Sequence, residues 1–329
     1  MIMCTSITYQ TSDDINFLAR TMDFGFELEG VPTIFPRRYP FPLDLGGELM
    51  NRYGYLGTGR KLDKFIFADG VNENGVAIAE LYFPREAQYA QELDQTKINL
   101  APHEFISWVL GEMGSIVELK QRINEVSIMA SENSLLEIVL PLHFIVTDST
   151  GEVIVVEPME GQLQIKNNPV KVMTNSPEFE WHLKNLNNYL GLQPHNFHKK
   201  YFGTHPILPF GQGSGTFGLP GGYTSPERFI RAAYLREYTP QSASVNEGLM
   251  NILHILGNVR IPRGVDIEED GSDDYTQYIA IFNTNEQIYY LQPEDTNALL
   301  SVHLTEELLE LAEPKVFKFQ KGPRLEWLK

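Results

Sequence analysis

The sequence of 329 residues has one cysteine, Cys4, and no apolar run of the roughly 18 residues that cross a bilayer. A single thiol excludes an intramolecular disulfide, so nothing in the sequence indicates an oxidising compartment. The first residues also lack the basic and apolar regions of a signal peptide. We therefore expect a cytoplasmic protein without a transmembrane helix.

Positive charge is scarce, since 26 Lys and Arg residues stand against 43 Asp and Glu residues, giving a formal net charge of -17 at pH 7. A molecule of that sign repels nucleic-acid phosphates and anionic membranes, so we expect neither as a partner. Small anionic ligands are not excluded, because a pocket can hold a few arginines inside a negative envelope. The remaining composition, with 42% hydrophobic residues, is that of a globular protein.

Apolar and β-branched stretches separated by turn residues predict a series of antiparallel hairpins. They pair residues 4–9 with 17–22, 65–68 with 76–83, 143–147 with 153–156, and 278–282 with 288–291, and a further strand is expected at 170–174. A helix is predicted at 105–110 and three more are predicted to follow Ser115, Ser225 and Ser244. Because the hairpins are separated by groups of helices, this order favours an α+β layered domain over a βαβ fold.

The starts of three helices are marked by side chains that can cap them. Ser115 and Ser244 are each followed three residues later by Glu, the spacing of a capping box. Ser225 places a hydroxyl before Pro226, which suits the first helical position. No linker, internal repeat or low-complexity tract divides the sequence. We expect residues 4–329 to form one domain.

Three patterns that often bind ligands lack the context they need. Residues 213–218 match G-x-G-x-x-G, but no strand precedes them and no helix follows directly. The acidic stretch 266–271 imitates the start of a calcium loop, yet Gln277 stands where a bidentate Glu is required. His195 and His198 have no third metal ligand at a suitable spacing. We therefore expect neither a cofactor nor a metal ion.

Cys4 allows two interpretations. A lone cysteine usually packs in a core as a small apolar side chain. Alternatively, residues 1–3 are a removable leader or precede an alternative start at Met3, and their loss makes Cys4 the N-terminal residue. A terminal cysteine combines a nucleophilic thiol with an α-amine whose pKa is about 7.7 to 8.0, which suits a base at neutral pH. If the leader persisted, the amine would be an amide and this chemistry would fail.

A terminal nucleophile needs a cation that favours the thiolate, a carboxylate that orients the amine, and donors for an oxyanion. Arg20 and Asp23, on the next predicted strand, offer the two charges. They are an odd number of residues apart, so in a regular strand their side chains face opposite sides of the sheet. Both can face Cys4 only if the strand bends or ends near Met22.

Five short motifs follow one another in a fixed order. They are Cys4-Thr5-Ser6, the ARTMDF run ending at Phe24, the DGVNENG run starting at Asp69, Thr174-Asn175-Ser176-Pro177, and the GLPG run at 218–221 ahead of Arg228. This order resembles the choloylglycine hydrolase family of N-terminal-nucleophile amidases, which comprises penicillin V acylases and conjugated bile salt hydrolases. The resemblance runs from Cys4 to Tyr290. It implies a four-layer αββα sandwich, with two antiparallel sheets between layers of helices.

The resemblance also implies roles for individual residues. Cys4 matches the family's nucleophile, and Arg20 and Asp23 match the residues that flank its thiol and its α-amine. Asn175 matches a donor to the oxyanion, and Arg228 matches an arginine of the site. From the residues alone, Asn175 would be a turn residue and Arg228 a cation on the surface of a helix.

Tyr82 occupies a position at which the penicillin acylase branch has Tyr and most bile salt hydrolases have Asn. Its backbone N–H matches the second oxyanion donor, while its side chain either shapes the pocket or simply packs in the sheet. A phenol suits a flat aryl acyl group better than a rigid steroid. We therefore expect a penicillin V acylase that yields 6-aminopenicillanic acid and phenoxyacetic acid.

Other functions stay open. Within the same fold, the alternatives are a conjugated bile salt hydrolase and an acyl-homoserine lactone acylase. From a different class, the alternative is a non-catalytic binding relative that retains its leader. The resemblance further implies a homotetramer, for which the aromatic-rich segment 181–210 offers an arm, although a local lid fits that composition equally well. The expected partner is a small-molecule amide substrate.

Overall fold

A computed structural model describes residues 3–132, 138–269 and 271–328. Two large sheets dominate these ranges. The strands, in chain order, are β1 (Met3–Gln10), β2 (Asn16–Phe24), β3 (Val31–Phe35), β4 (Pro40–Pro42), β5 (Glu48–Met50), β6 (Tyr55–Lys61), β7 (Phe65–Asn72), β8 (Ala77–Tyr82), β9 (Ile98–Leu100), β10 (Val126–Ile128), β11 (Leu142–Thr147), β12 (Val153–Met159), β13 (Gln162–Asn167), β14 (Val172–Met173), β15 (Lys200–Phe202), β16 (His205–Ile207), β17 (Tyr275–Asn283), β18 (Ile288–Pro293), β19 (Leu300–His303) and β20 (Lys315–Val316).

Helices are fewer than strands in the described ranges. The α-helices are α1 (Phe105–Glu112), α2 (Ile116–Arg122), α3 (Phe179–Asn185), α4 (Ser225–Tyr238), α5 (Val245–Gly257) and α6 (Glu306–Leu309). Short 3-10 helices lie at Pro102–Glu104, Ile123–Glu125, Leu186–Tyr189 and Ser214–Thr216. Within the same ranges, none of the helices is both long enough and apolar enough to traverse a bilayer.

The two large sheets are antiparallel throughout. The first has the order β14-β1-β2-β17-β18-β19 and the second the order β13-β12-β11-β8-β7-β6-β3-β20. Smaller two-stranded sheets join β4 to β5, β15 to β16, and β9 to β10, the last pair being parallel. The four predicted hairpins are confirmed as β1 with β2, β7 with β8, β11 with β12, and β17 with β18.

Alternation along the central strands divides the apolar side chains between two cores. On β8, Ala79 and Leu81 pack in the core shared with the first sheet, whereas Ile78 packs in the core on the outer face of the second sheet. On β11, Ile145 and Phe144 divide in the same way. Strands that are buried on both faces have nearly continuous apolar sequences, and this property allows them to be predicted from the sequence.

Helices cover the outer face of each sheet. Phe229 of α4 and Ile252 of α5 pack on the first sheet, while Trp108 and Val109 of α1 pack on the second. The layers therefore run helix, sheet, sheet, helix. This arrangement confirms the predicted α+β fold, a four-layer αββα sandwich of two antiparallel sheets between helix layers.

The ends of the predicted helices follow the capping signals with one change. The Ser115 hydroxyl accepts a hydrogen bond from the backbone N–H of Glu118 at 3.1 Å, and the Ser244 hydroxyl accepts one from Glu247 at 3.3 Å. Ser225 is not the cap, because α4 begins one residue earlier than predicted and Ser225 is its first helical residue. Its hydroxyl is thereby free to bind elsewhere, as described below.

One predicted strand is much shorter in the structure. Instead of 170–174, β14 spans only Val172–Met173. It lies at the edge of the first sheet, where it pairs with Ser6 and Ile7 of β1 alone. A two-residue edge strand leaves the following residues, from Thr174 onward, to form a loop beside β1.

β7 and β8 part at one end of the second sheet. Their pairing covers only Asp69–Val71 on β7 and Ala77–Ala79 on β8. β7 begins earlier, at Phe65, and β8 continues to Tyr82, so these two ends are not paired with each other. The pairing of β6 with β7 also shifts its register just after Thr58, at the same level of the sheet. The parted ends leave a gap in the second sheet.

Candidate active site

The Cys4 thiol lies on the face of β1 that is turned toward the second sheet. Cys4 is 1% exposed and stands opposite Met22 in the pairing of β1 with β2. Arg20 is diagonal to Cys4 on the same face, a distance that a long side chain spans easily. Its Nη2 lies 2.7 Å from the Cys4 Sγ. The structure thus brings the predicted cation to the predicted nucleophile.

Arg20 is held in place by a buried carboxylate. Its Nη1 lies 3.2 Å from an oxygen of Asp69, and both side chains are fully buried. Asp69 also accepts hydrogen bonds from the Tyr278 hydroxyl at 3.0 Å and from the Thr58 N–H at 3.1 Å. Sequence reasoning gave Asp69 no role, although it opens one of the five motifs.

The surroundings of the thiol pull its pKa in two directions. Burial raises the pKa of Cys4 above its ordinary value, and the neighbouring Arg20 opposes that rise. The arginine cannot act as a base, since its guanidinium stays protonated. It can stabilise a thiolate once another group has taken the proton.

Asp23 lies on the opposite face of β2, toward α4. The strand stays regular through Phe24, so the odd spacing from Arg20 has the consequence predicted for an unbent strand. The Asp23 carboxylate accepts hydrogen bonds from the hydroxyls of Thr21 at 3.0 Å and Thr276 at 2.5 Å. Burial raises the pKa of Asp23, while Arg228 opposes the rise.

Asn175 connects three parts of the site. Its Oδ1 accepts hydrogen bonds from the backbone N–H of Cys4 at 2.8 Å and from Arg228 Nη2 at 2.7 Å. Its Nδ2 donates to the carbonyl oxygen of Tyr82 at 2.8 Å, which leaves the second hydrogen of that amide available. The atom next to the Cys4 nitrogen is therefore the Asn175 oxygen, where we had expected a carboxylate.

Arg228 binds the backbone around Cys4. It lies on the first turn of α4 and is fully buried. Its Nη1 donates to the Cys4 carbonyl oxygen at 2.5 Å and to the Thr5 hydroxyl at 2.7 Å, and its Nε donates to the Tyr223 carbonyl at 2.8 Å. The Arg228 side chain is thus buried and bound to β1. The prediction from the residues alone, that Arg228 is a cation on the surface of a helix, is wrong.

Two buried histidines fix the loop that carries Asn175. The Nε2 of His182 lies 2.9 Å from the Asn175 carbonyl oxygen, and the Nε2 of His143 lies 2.8 Å from that of Thr174. Burial lowers the pKa of His182 to about 4, so at neutral pH its ring is neutral and donates through Nε2. The Ser225 hydroxyl accepts from the Asn175 N–H at 3.0 Å. Sequence reasoning missed both histidines, because no local pattern marks them.

The backbone of Tyr82 points into the gap between β7 and β8. The next N–H, that of Phe83, donates to Pro141 on the β11 side at 2.7 Å. Successive backbone groups along a strand point to opposite sides, so the N–H and C=O of Tyr82 point away from β11. The bond from Asn175 to the Tyr82 carbonyl agrees with that direction. The Tyr82 N–H and the Asn175 amide therefore lie on the same side of β8.

A cavity reaches the thiol through this gap. It holds about 710 Å³ of empty space, part of it open to solvent. Arg20, Glu80, Tyr82 and Tyr278 are among its polar lining residues, but most of the lining is apolar. The apolar lining includes Met22, Phe24, Leu28, Ile66, Leu140 and Leu142.

A comparison with protein families identifies the group to which this arrangement belongs. The model of the linear amide C–N hydrolases, choloylglycine hydrolase family, matches residues 4–317. The chain belongs to the choloylglycine hydrolase family. The resemblance predicted from the five motifs is therefore confirmed, and the match begins at Cys4.

Individual members of the choloylglycine hydrolase family resemble the chain over nearly its whole length. A bile salt hydrolase/transferase from Clostridium perfringens (strain 13 / Type A) is 34% identical over 327 residues, which cover 97% of this chain and 98% of the relative. The crystal structure of a conjugated bile acid hydrolase from the same species has a TM-score of 0.92 at 31% identity, covering 99% of this chain and 100% of the other. Penicillin V acylase from Agrobacterium tumefaciens shares the fold, with a TM-score of 0.73 at 20% identity over 93% of this chain and 88% of that one.

These choloylglycine hydrolases overturn the expectation that penicillin V is the substrate. That expectation depended on the side chain of Tyr82, whereas relatives at 31% to 34% identity over nearly the full chain are named for bile salts or bile acids. The prediction was wrong because Tyr82 is one of many residues that line the cavity, from several strands and loops. Selection depends on the whole pocket, and a single contact changes it by only about 1 to 3 kcal/mol.

None of the three patterns that often bind ligands lines the cavity at Cys4, although Asp266 and Glu268 of the acidic stretch line a second groove together with Met3 and Asn175. Residues 213–218 form a turn around the 3-10 helix Ser214–Thr216, and α4 starts only at Ser225. His195 and His198 lie in the loop before β15, and both are exposed. The acidic stretch 266–271 includes Asp270, which is outside the described residues.

A group of side chains outside the site around Cys4, among those described, lies close enough together to hold a metal ion. It consists of Asp44, His103 and Glu104. The ammonium of Lys64 lies 2.5 Å from a carboxylate oxygen of Asp44 and of Glu104. The lysine therefore supplies the positive charge at this cluster, which lies apart from the residues around Cys4.

Proposed function

We propose that the chain hydrolyses conjugated bile salts, the amides that join a steroid acid to glycine or taurine, with Cys4 as the nucleophile. The observation that carries this proposal is the 2.7 Å contact between the Cys4 sulfur and Arg20 at the inner end of a largely apolar cavity. A rigid apolar steroid suits such walls, and the names of the full-length relatives point to the same substrate class. This function replaces the penicillin V reaction.

The active form requires that residues 1–3 are removed. With these residues present, Met3 continues β1 opposite Asp23, and the Cys4 nitrogen is an amide that donates to Asn175 at 2.8 Å. After removal the same nitrogen becomes an α-amine, with Asn175 Oδ1 placed to orient it. The amine then supplies the base that Arg20 cannot be.

The first half of the reaction forms a thioester. The Cys4 thiol transfers its proton to the α-amine, and the sulfur attacks the amide carbon of the substrate. Arg20 stabilises the thiolate during this attack. The protonated amine then gives its proton to the departing nitrogen, the C–N bond breaks, and glycine or taurine leaves.

The developing oxyanion is stabilised by two donors on the same side of β8. We assign these roles to the free N–H of the Asn175 amide and to the backbone N–H of Tyr82. Donors fixed before the reaction lose little free energy to reorganisation, and each is worth a large rate factor. Arg228 and Asp23 act on the other face of β1 and β2. There Arg228 binds the Cys4 carbonyl oxygen, and the Asp23 carboxylate accepts a hydrogen bond from the Thr276 hydroxyl.

The second half of the reaction regenerates the thiol. The α-amine takes a proton from water, the hydroxide attacks the thioester carbon, and the C–S bond breaks to release the bile acid. The protonated amine returns the proton to sulfur. The cycle consumes one water and needs no cofactor.

Initial rates of glycine release from glycocholate, beside rates on penicillin V, test the substrate assignment. We expect faster turnover of glycocholate, no turnover by Cys4→Ala, and an intact mass of the active protein that lacks residues 1–3. Ser6→Ala, two residues along the same face of β1, is the matched control and should retain activity. Faster turnover of penicillin V, or full activity with residues 1–3 still attached, would contradict the proposal.

A further inference from the structure

Glu80 is a carboxyl group in the cavity that the proposed mechanism does not use. It lies on β8, two residues before Tyr82, on the length of strand that has parted from β7. Its side chain lines the cavity that reaches Cys4. Among the described residues that line this cavity, it is the only acid.

One oxygen of Glu80 is buried without a hydrogen-bond partner. Oε2 has no donor or acceptor within reach among the described residues. A buried polar atom without a partner is destabilising, so natural proteins seldom keep one without a use. A ligand in the cavity is positioned to supply the missing partner.

The charges around Glu80 set its protonation. Burial raises the pKa of Glu80 to about 8, with Arg20 opposing the rise and Asp69 adding to it. At neutral pH the carboxyl is therefore largely protonated, and it can both donate and accept a hydrogen bond. A hydroxyl group can also both donate and accept a hydrogen bond, so a hydroxyl of the ligand is complementary to the Glu80 carboxyl.

We propose that Glu80 selects the acyl part of the substrate by a hydrogen bond to a ring hydroxyl close to the scissile amide. The inference rests on the proposed function, since it takes the acyl part to be a hydroxylated steroid. Two residues along a strand span roughly 6 to 7 Å, which places Glu80 near the Tyr82 backbone rather than at the mouth of the cavity. In a conjugated bile salt, the C12 hydroxyl is the ring hydroxyl nearest to the amide, whereas those at C7 and C3 are farther away.

Two isomeric bile acids test this choice without a difference in hydroxyl number. Deoxycholate has hydroxyls at C3 and C12, and chenodeoxycholate has them at C3 and C7. Calorimetric binding to the Cys4→Ala variant, below the concentration at which micelles form, removes turnover from the measurement. We expect deoxycholate to bind about 5- to 10-fold more tightly, the value of one hydrogen bond in a closed pocket.

Substitutions of Glu80 then ask whether this residue causes the preference. In the Cys4→Ala background, Glu80→Leu should bring the ratio of the two dissociation constants close to one. Glu80→Gln, which still donates and accepts, should retain most of the preference. A ratio that Glu80→Leu leaves unchanged overturns the inference, as does equal binding of both acids, or binding of neither, in the protein that retains Glu80. The comparison of the two acids in the protein that retains Glu80 does not require any Glu80 variant to fold.

Turnover of the taurine conjugates separates this inference from the proposed function. If the protein with Cys4 and Glu80 hydrolyses neither taurodeoxycholate nor taurochenodeoxycholate, the proposed function fails. If it hydrolyses both conjugates with equal kcat/KM, and the ratio of the two kcat/KM values is the same in Glu80→Leu, the proposed function stands and the role of Glu80 is overturned. A selective loss of kcat/KM for taurodeoxycholate in Glu80→Leu supports both.

Discussion

The guanidinium of Arg20 bridges the Cys4 sulfur at 2.7 Å and the Asp69 carboxylate at 3.2 Å. The charge beside the thiol is therefore itself paired, and its position is fixed from the side opposite the nucleophile. A buried arginine with only one partner would leave an uncompensated charge or point elsewhere. The pairing gives the site a cation that is both buried and directed at one atom.

We expect Arg20→Leu to slow alkylation of Cys4 by iodoacetamide. Without the cation, the effect of burial on the thiol is opposed less strongly and the pKa of Cys4 rises further. A hydrogen bond to a charged group is worth about 1.5 to 3 kcal/mol, so the second-order rate at neutral pH should fall about 10- to 100-fold. Because the sequence has one cysteine, the label reports on Cys4 alone.

Two further proteins serve as controls for this prediction. Arg52→Leu removes an exposed arginine and should leave the alkylation rate unchanged. Arg20→Leu combined with Asp69→Asn removes the carboxylate that the single variant leaves unpaired, so a folded protein is available if the single variant is unstable. An alkylation rate equal to that of the parent in the double variant would show that Arg20 does not activate the thiol.

Asn175→Ala should reduce kcat by about 100- to 1,000-fold, the usual cost of one oxyanion donor. The same substitution removes the acceptor next to the Cys4 nitrogen and a partner of Arg228. Steady-state rates on glycocholate measure the effect, and Asn187→Ala on the nearby 3-10 helix is a matched control. A drop smaller than 10-fold would exclude Asn175 from a principal catalytic role.

His182 is expected to act through Asn175 as a positioning residue. His182→Leu removes the donor to the Asn175 carbonyl, and one such bond is worth about 1 kcal/mol. We therefore expect kcat to fall about 5-fold while KM for glycocholate stays nearly constant. His182→Gln, whose amide can donate to the same carbonyl, should recover part of kcat. A change confined to KM would contradict this assignment.

The raised pKa of Glu80 predicts how stability depends on pH. Its folded pKa of about 8 lies above the ordinary value of 4.5, so the folded state favours the neutral carboxyl. The stabilisation from this group is complete below pH 4.5 and is lost as the pH rises toward 8. Urea unfolding should show that the free energy of unfolding, relative to Glu80→Gln, declines across this range. A constant difference would mean that Glu80 is ionised in the folded protein.

The exposed arm predicts assembly. β15 and β16 form a hairpin within the segment 181–210, and apolar side chains on it and after it are exposed, including Phe202 and Phe210. Large exposed apolar patches mark interaction surfaces, and we propose that this one joins subunits of a homotetramer. Phe202→Ser with Phe210→Ser should lower the mass measured by light scattering, whereas Tyr238→Ser on α4 should not. A monomeric parent protein, or an unchanged mass of the variant, would refute the arm's role.

Local features of this molecule were predictable because neighbouring residues determine them. The spacing of Arg20 and Asp23 predicted that they face opposite sides of an unbent strand, and they do. The capping boxes at Ser115 and Ser244 likewise form as their spacing indicates. Hairpins and helix starts depend on a few adjacent residues, so sequence patterns suffice for them.

Contacts between distant parts of the chain were beyond such patterns. The Cys4 nitrogen meets Asn175 across 171 residues, and Arg228 meets the Cys4 carbonyl across 224. Only the family resemblance placed these residues together. Asp69 and Glu80 resemble ordinary strand carboxylates in the sequence, because nothing local shows that the strands bearing them border a cavity.

The gap between β7 and β8 affects how the substrate specificity of this fold can change. Because the cavity passes between two strand ends that are not paired with each other, the side chains on these ends help to determine how wide an acyl group can enter. Side-chain replacements there leave no β7–β8 backbone bond to break, and the thiol and its guanidinium lie on the other sheet. Natural or engineered variation can therefore alter which acids are accepted while the hydrolytic chemistry stays intact.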